Sequence, residues 1–193
     1  MFYQIVLAII APAIDAIGFF LYIRSVLRGH TKPHSFTWFV WGLLQGVTFF
    51  AQLSRGGGVG TSLVAFGSTM CFVVFGLSLF KGERSIARVD IGSLVAALAG
   101  IALWIITSAP LTAVVLAVAV DIFGFIPTFR KAYGKPYEET IQNYTLGILS
   151  FAISIFALQA INLVTVMFPA TLVVADSAFV SMVLIRRKVS GRR

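Results

Sequence analysis

The sequence predicts an all-α membrane protein of seven transmembrane helices, built as two three-helix repeats joined by a linker helix. Three observations carry this. Of the 193 residues, 59% are hydrophobic and only 11% charged, with a mean hydropathy of +0.96. A soluble domain carries about a quarter charged residues, and so little polar sequence cannot coat a soluble core. Second, the basic residues alternate from loop to loop. Third, the chain repeats itself at a shift of 106 residues, as in Asp15 and Asp121.

The apolar sequence divides into seven runs: Tyr3–Ile23, Ser35–Leu53, Gly60–Phe80, Asp90–Thr107, Leu111–Phe129, Ile141–Ile161 and Phe168–Ile185. Each is near the twenty or so residues that span a bilayer with the backbone bonded to itself. Breaker chemistry separates them, in Gly29 to Pro33, Gly56-Gly57-Gly58, Lys81-Gly82-Glu83-Arg84, Ala109-Pro110 and Gly134-Lys135-Pro136. The first run is expected to be retained, because Met1-Phe2-Tyr3-Gln4 lacks the basic start of a cleaved signal. The organisation expected is residues 1–88 as the first repeat, 89–109 as the linker helix and 110–193 as the second, in one membrane domain.

Orientation follows from Lys and Arg. Arg24, Arg28 and Lys32 lie in the first loop; Lys81, Arg84 and Arg88 in the third; Arg130, Lys131 and Lys135 in the fifth; Arg186, Arg187, Lys188, Arg192 and Arg193 at the C-terminal end. The other side has only Arg55. This predicts an N-terminus outside and a C-terminus in the cytoplasm, in a plasma-type membrane. The net charge of +8 is then a topology signal beside anionic lipid, and no nucleic-acid partner is expected.

The repeat is clearest where Leu7–Arg24 is set over Ala113–Arg130. Asp15/Asp121, Gly18/Gly124, Phe19/Phe125 and Arg24/Arg130 coincide, a shared D-x-x-G-F-x-x-x-x-R. Further on, Lys32-Pro33 matches Lys135-Pro136, and Trp41 falls on Tyr144. The third and seventh runs are related only by hydropathy. An odd connecting helix restores the orientation of the second trio, giving parallel repeats about an axis normal to the membrane.

This three-one-three plan resembles the SWEET and PQ-loop transporter superfamily. The local likeness lies in Pro127-Thr128-Phe129-Arg130-Lys131, then Lys135 and Glu138-Glu139, which look like the end of the first helix of a SWEET repeat. The resemblance implies transport by alternating access, with Pro127 as a hinge. The first repeat has Leu21 where the second has Pro127, and neither half contains a Pro-Gln pair.

Of seven acidic residues, Asp15, Asp121 and Asp176 fall near the midpoints of runs one, five and seven. A charged Asp at a helix centre costs about 2.5–3.5 kcal/mol on insertion scales, and no mid-run Lys or Arg is there to pair with them. They therefore read as polar or protonatable groups of a central site, or as protonated glue between the halves. Trp38, Trp41 and Gln45 are spaced for one helical face, and Asn143 and Tyr144 stand at the equivalent place of run six. An aromatic beside an amide can hold a small polar molecule by stacking and hydrogen bonds, so Trp41, Gln45, Asn143 and Tyr144 complete the expected solute-binding set; Trp38 reads rather as part of an interfacial aromatic belt. Gly42 and Gly46 suit close helix contact. Cys71, the single cysteine, reads as a buried core residue, and Asn162 as a residue meeting headgroups.

His30 and His34 lack a third ligand, so no metal is expected, and nothing calls for a cofactor. GxSxG, HExxH and phosphate-loop signatures are absent, the loops are too short for an extramembrane active site, and Lys188 lies past the helix end where a retinal lysine would be needed. The reading is therefore not an enzyme but a small-solute transporter. Its partners are a small polar solute and the lipid bilayer, with a second copy of the chain admitted. The alternative is a non-transporting receptor or scaffold with the same fold.

Overall fold

The computed structural model describes residues 2–31, 33, 35–82, 109–134, 136, 137 and 141–190, together with 91, 92, 95, 98, 99, 102 and 106 of the linker run. Side chains are described at all of these but 126–128, 130, 131 and 190. Among the described residues the chain is all-helical, with no strand. The helices are α1 (Phe2–Leu27), α2 (Ser35–Ser54), α3 (Ser62–Lys81), α4 (Pro110–Gly134), α5 (Ile141–Ala157) and α6 (Leu163–Ser190), with a short 3-10 turn at Gly58–Thr61 before α3. The seven described linker positions, from Ile91 to Ile106, are helical; Asp90 of the linker and His34 of the first loop lie outside the described residues.

Four helical stretches, Phe2–Leu27, Ser35–Ser54, Gly58–Lys81 and Leu163–Val189, are long and apolar enough to cross a membrane. Their outward faces are apolar: Phe20, Phe50, Phe80 and Leu184 are all exposed. That is the surface a helix presents when lipid replaces water.

Around residue 160 the helix boundaries differ from the apolar runs. α5 stops at Ala157 and α6 begins at Leu163, earlier than hydropathy alone places it. The reason is a cap. Asn162 Oδ1 accepts from the backbone N–H of Val164 at 3.1 Å and of Thr165 at 3.2 Å, filling donors that a helix start leaves open. Asn162 Nδ2 also donates to Arg55 O at 3.1 Å, so this residue ties two loops together as well as meeting solvent.

Pro12 lies inside α1 and Pro169 inside α6. A proline cannot donate to the carbonyl four residues back, here Ala8 and Thr165. Each orphan is filled from another helix. Ser62 Oγ donates to Ala8 O at 2.6 Å, and Gln52 Nε2 donates to Thr165 O at 2.7 Å. In an apolar surround this compensation is what makes an internal proline tolerable.

The packing has a regularity of its own. α2 packs on α3 and α5 on α6; α1 on α3 and α4 on α6; α1 on α5 and α4 on α2; α2 on α6 and α5 on α3. Exchanging α1, α2, α3 for α4, α5, α6 returns the same set of pairs. Burial follows the exchange. Leu63, Val64, Gly67, Cys71, Val74 and Ser78 of α3 are buried, and so, 105 residues on, are Phe168, Pro169, Leu172, Asp176, Phe179 and Val183 of α6. In α2 and α5 the buried polar pairs are Thr48 with Ser150 and Gln52 with Ser154, one residue off the register set by Trp41 and Tyr144. The ends agree too: Lys81 Nζ donates to Leu27 O at 3.0 Å, and Arg186 Nε donates to Tyr133 O at 3.0 Å. Leu27 and Tyr133 are 106 residues apart, the shift that also relates Asp15 to Asp121.

One central core, including Leu44, Val64, Val114, Ala117 and Phe168, joins the two trios. Two satellite clusters lie nearer the Lys- and Arg-rich end. One is centred on Trp38, Cys71 and Val74, and the other on Ala132, Phe179 and Val183. At that end each trio packs within itself, which leaves space between them.

Candidate functional site

The space is a cavity of about 130 Å³ walled by both trios. Asp15, Asp121, Asp176, Trp41, Gln45, Asn143 and Tyr144 all line it. Helix geometry brings them there: Asp15, Phe19 and Tyr22 share one face of α1, and Asp121 and Phe125 share the matching face of α4. Pro127 lies in α4, and its side chain is outside the described residues.

The carboxylates are deeply placed. Asp121 is 6% exposed and Asp176 7%, and Asp15 is half-buried. Among the described residues none of the three makes a hydrogen bond or an ion pair, and Asp121 Oδ2 is fully buried without a partner. Asp15 and Asp121 are both within electrostatic reach of Asp176 and of the Cys71 thiol, so they act on one shared space. Among the described residues no Lys, Arg or His lines it.

Glycines set how closely the polar groups approach. A Cβ on Gly147 would stand 2.9 Å from Asp176 Oδ2, and one on Gly18 would stand 2.8 Å from Asn143 Oδ1. Gln45 is seated against Gly67, and its Nε2 donates to Cys71 Sγ at 3.4 Å.

The aromatic wall has two parts. On one side Trp38 stands between Tyr22, with centroids 4.8 Å apart, and Trp41, edge-on at 5.3 Å. Trp38 Nε1 also donates to the Tyr22 hydroxyl at 3.2 Å. On the other side Tyr144 packs on Phe179 at 4.4 Å and edge-on to Phe125 at 6.1 Å.

Sequence reasoning missed Trp38, Tyr22, Phe19, Phe125 and Cys71 as lining residues. Trp38, expected in an interfacial belt, is 9% exposed and turned inward. The signal was present for α1, where Phe19 and Tyr22 follow Asp15 at helical spacing. For Cys71 it was not, because only the α3–α6 correspondence marks its position.

Away from the basic end the cavity gives way to a buried polar layer, in which, among the described residues, Thr48 Oγ1, Gln52 Oε1 and Ser150 Oγ have no partner. Two loops then meet: Gln159 N donates to Gly57 O at 3.1 Å, Gly60 abuts the Leu158 backbone, and Gln159 sits against Gly58. Gly56 and Gly58 have φ of +80° and +59°, the left-handed region that favours glycine, so this close approach depends on glycine for both space and conformation.

Compared with family models, with curated proteins and with solved structures, the chain matches none.

Proposed function

We propose that this protein is a SWEET-like transporter of a small polar solute, with its site between two three-helix repeats. The observation that carries this is the meeting of Asp15 and Asp121, the paired aspartates of the D-x-x-G-F match, in one cavity walled by both trios. The packing that survives exchange of the trios supports the repeat. A site on the axis between two such units is what rocking of one against the other needs. The alternation of basic loops supports an N-terminus outside and a C-terminus in the cytoplasm of a plasma-type membrane. In that orientation the cavity lies toward the cytoplasm, and the 55–61 and 158–162 loops form the outer seal.

The test is flux into proteoliposomes for a panel of sugars, amino acids, vitamins and cations, at acidic and at alkaline pH. Transport of a solute that is lost in Asp121→Asn is expected. If the aspartates couple transport to protons, flux depends on pH in the parent protein, and this variant abolishes the dependence; pH-dependent flux that persists unchanged in it rejects the coupling. The seal at one end is the single observation that favours a receptor or scaffold instead. Ligand binding without flux for any solute would favour that second reading.

A further inference from the structure

We propose that the ligand of this cavity is a small organic cation, an alkylammonium ion held among Asp15, Asp121 and Asp176 against the faces of Trp41 and Tyr144. The inference rests on the reading of the cavity as a solute site and names the chemistry of its occupant.

The first ground is charge. Three carboxylates face one space, no basic side chain lines it, and none of the three takes a hydrogen bond or an ion pair among the described residues. Asp121 is the sharpest case: it is 6% exposed, and its Oδ2 is sealed from solvent with nothing donating to it. A buried polar group without a partner is costly, and a cationic ligand is the occupant that relieves all three. A neutral solute offers hydrogen-bond donors but no charge, and an anion is repelled.

The second ground is the wall. Indole and phenol rings from both trios line the same space as the carboxylates. An ammonium over an aromatic face is attracted by the ring quadrupole, most strongly over Trp and when water is excluded. The amides are poorly placed to replace it as a polar recognition surface. Gln45 Nε2 is given to Cys71 Sγ, and Asn143 Oδ1 is turned toward Gly18.

The third ground separates an organic ion from a metal. Among the described residues no three His, Cys, Asp or Glu side chains converge closely enough to hold a metal ion. Carboxylates that do not converge on one point suit a charge spread over several atoms rather than a bare ion. The cavity, at about 130 Å³, is also well below the ~300–1,000 Å³ of sites for drug-sized molecules. A short alkylammonium ion suits both limits.

The experiment uses the full chain in lipid nanodiscs, with choline, ethanolamine, glucose and sodium as probes. The decisive probe is the neutral isostere of choline, in which a quaternary carbon replaces the nitrogen. Binding is read by calorimetry and by the rise in apparent melting temperature that a native-state ligand produces. Choline or ethanolamine is expected to bind, and the carbon isostere to bind at least about tenfold more weakly than choline. Asp121→Asn and Asp176→Asn should each weaken the cation to a similar degree, and Asp121→Glu, which keeps the charge, should weaken it less. Should the Asn variants fail to fold, the comparison of choline with its isostere in the parent protein decides alone. Equal binding of the isostere, binding of glucose without either cation, or cation binding untouched by both Asp→Asn changes would overturn the inference while leaving a solute site. Absence of binding by every probe, together with absence of flux for the wider panel, would remove both the inference and the transport reading.

Discussion

Cys71 in α3 and Asp176 in α6 occupy matching places in the two trios, and they differ in the one respect that matters for chemistry. Both are buried, both line the cavity, and they are 105 residues apart within matching burial patterns. Around Cys71 the polar group comes from the neighbouring helix, because Gln45 of α2 reaches across Gly67 to the thiol. Around Asp176 the arrangement is reversed. The neighbouring helix offers only Gly147, and the carboxylate fills the space that its missing side chain leaves. Each trio therefore puts one polar head at this level beside its aspartate, Asp15 or Asp121, but one head is a neutral amide and the other an acid. Matching helix pairings and burial supply similar frames, and the side chains make the frames unequal.

The strongest way to break this comparison is to make the two sides alike. Cys71→Asp would add a fourth carboxylate to the cavity. It should lower stability by about 2.5–3.5 kcal/mol, the cost of a charged Asp at a helix centre, read as a fall in melting temperature in detergent. The reverse change, Asp176→Cys, removes a carboxylate that has no ion-pair partner among the described residues, and should leave the empty protein at least as stable. A Cys71→Asp protein that melts with the parent would mean that water or counter-ions already fill the cavity.

A smaller effect is expected where the trios handle their prolines. Gln52 serves the orphan carbonyl of Thr165 in a fully buried place, whereas Ser62 serves that of Ala8 in a half-buried one. Gln52→Leu should cost about 1–3 kcal/mol, the range for stranding a buried acceptor, and Ser62→Ala nearer the ~0.5–1.5 kcal/mol of an ordinary hydrogen bond. Adding Pro169→Ala to Gln52→Leu returns an N–H to the carbonyl four residues back and should recover most of the loss. A double variant no more stable than Gln52→Leu would show that Gln52 matters through packing rather than through this bond.

These pairings also show what could be read without coordinates. Asp15, Asp121 and Asp176 were legible because an acid amid apolar residues stands out by cost alone. Trp41, Gln45, Asn143 and Tyr144 were legible by helical spacing and by the match between runs two and six. The α3–α6 correspondence was hidden, because its shared property is burial at fixed intervals and its residues differ in type: Val74 against Phe179, Gly67 against Leu172, Cys71 against Asp176. The start of α6 was misjudged because hydropathy does not register a cap, and Asn162 reads as a polar residue at a membrane edge until its bonds to Val164 and Thr165 are seen. Nor do Pro12 and Pro169 announce their partners. A freed carbonyl is a property of one helix, but the side chain that fills it comes from wherever the fold brings another.

The finest test of unequal frames lies in Gly18 and Gly124, identical residues at matching places in the D-x-x-G-F segments. A Cβ on Gly18 would meet Asn143 Oδ1 at 2.8 Å, whereas one on Gly124 would meet nothing within 4 Å. Ala has a higher helix propensity than Gly by about 0.8–1.0 kcal/mol in water. Gly124→Ala should therefore be neutral or stabilising by up to about that amount. Gly18→Ala should lose the same gain to the displaced amide, ending neutral to destabilising, and should disturb the cavity because Asn143 must turn. Thermal melts of the two single variants give the sign of each effect, and ligand binding by Gly18→Ala gives the consequence for the site. Opposite outcomes for one substitution at two equivalent glycines would locate the asymmetry in what crosses from α5 to α1. Equal outcomes would mean that the Asn143 side chain moves freely, and that the α1–α5 contact is looser than the packing of these helices indicates.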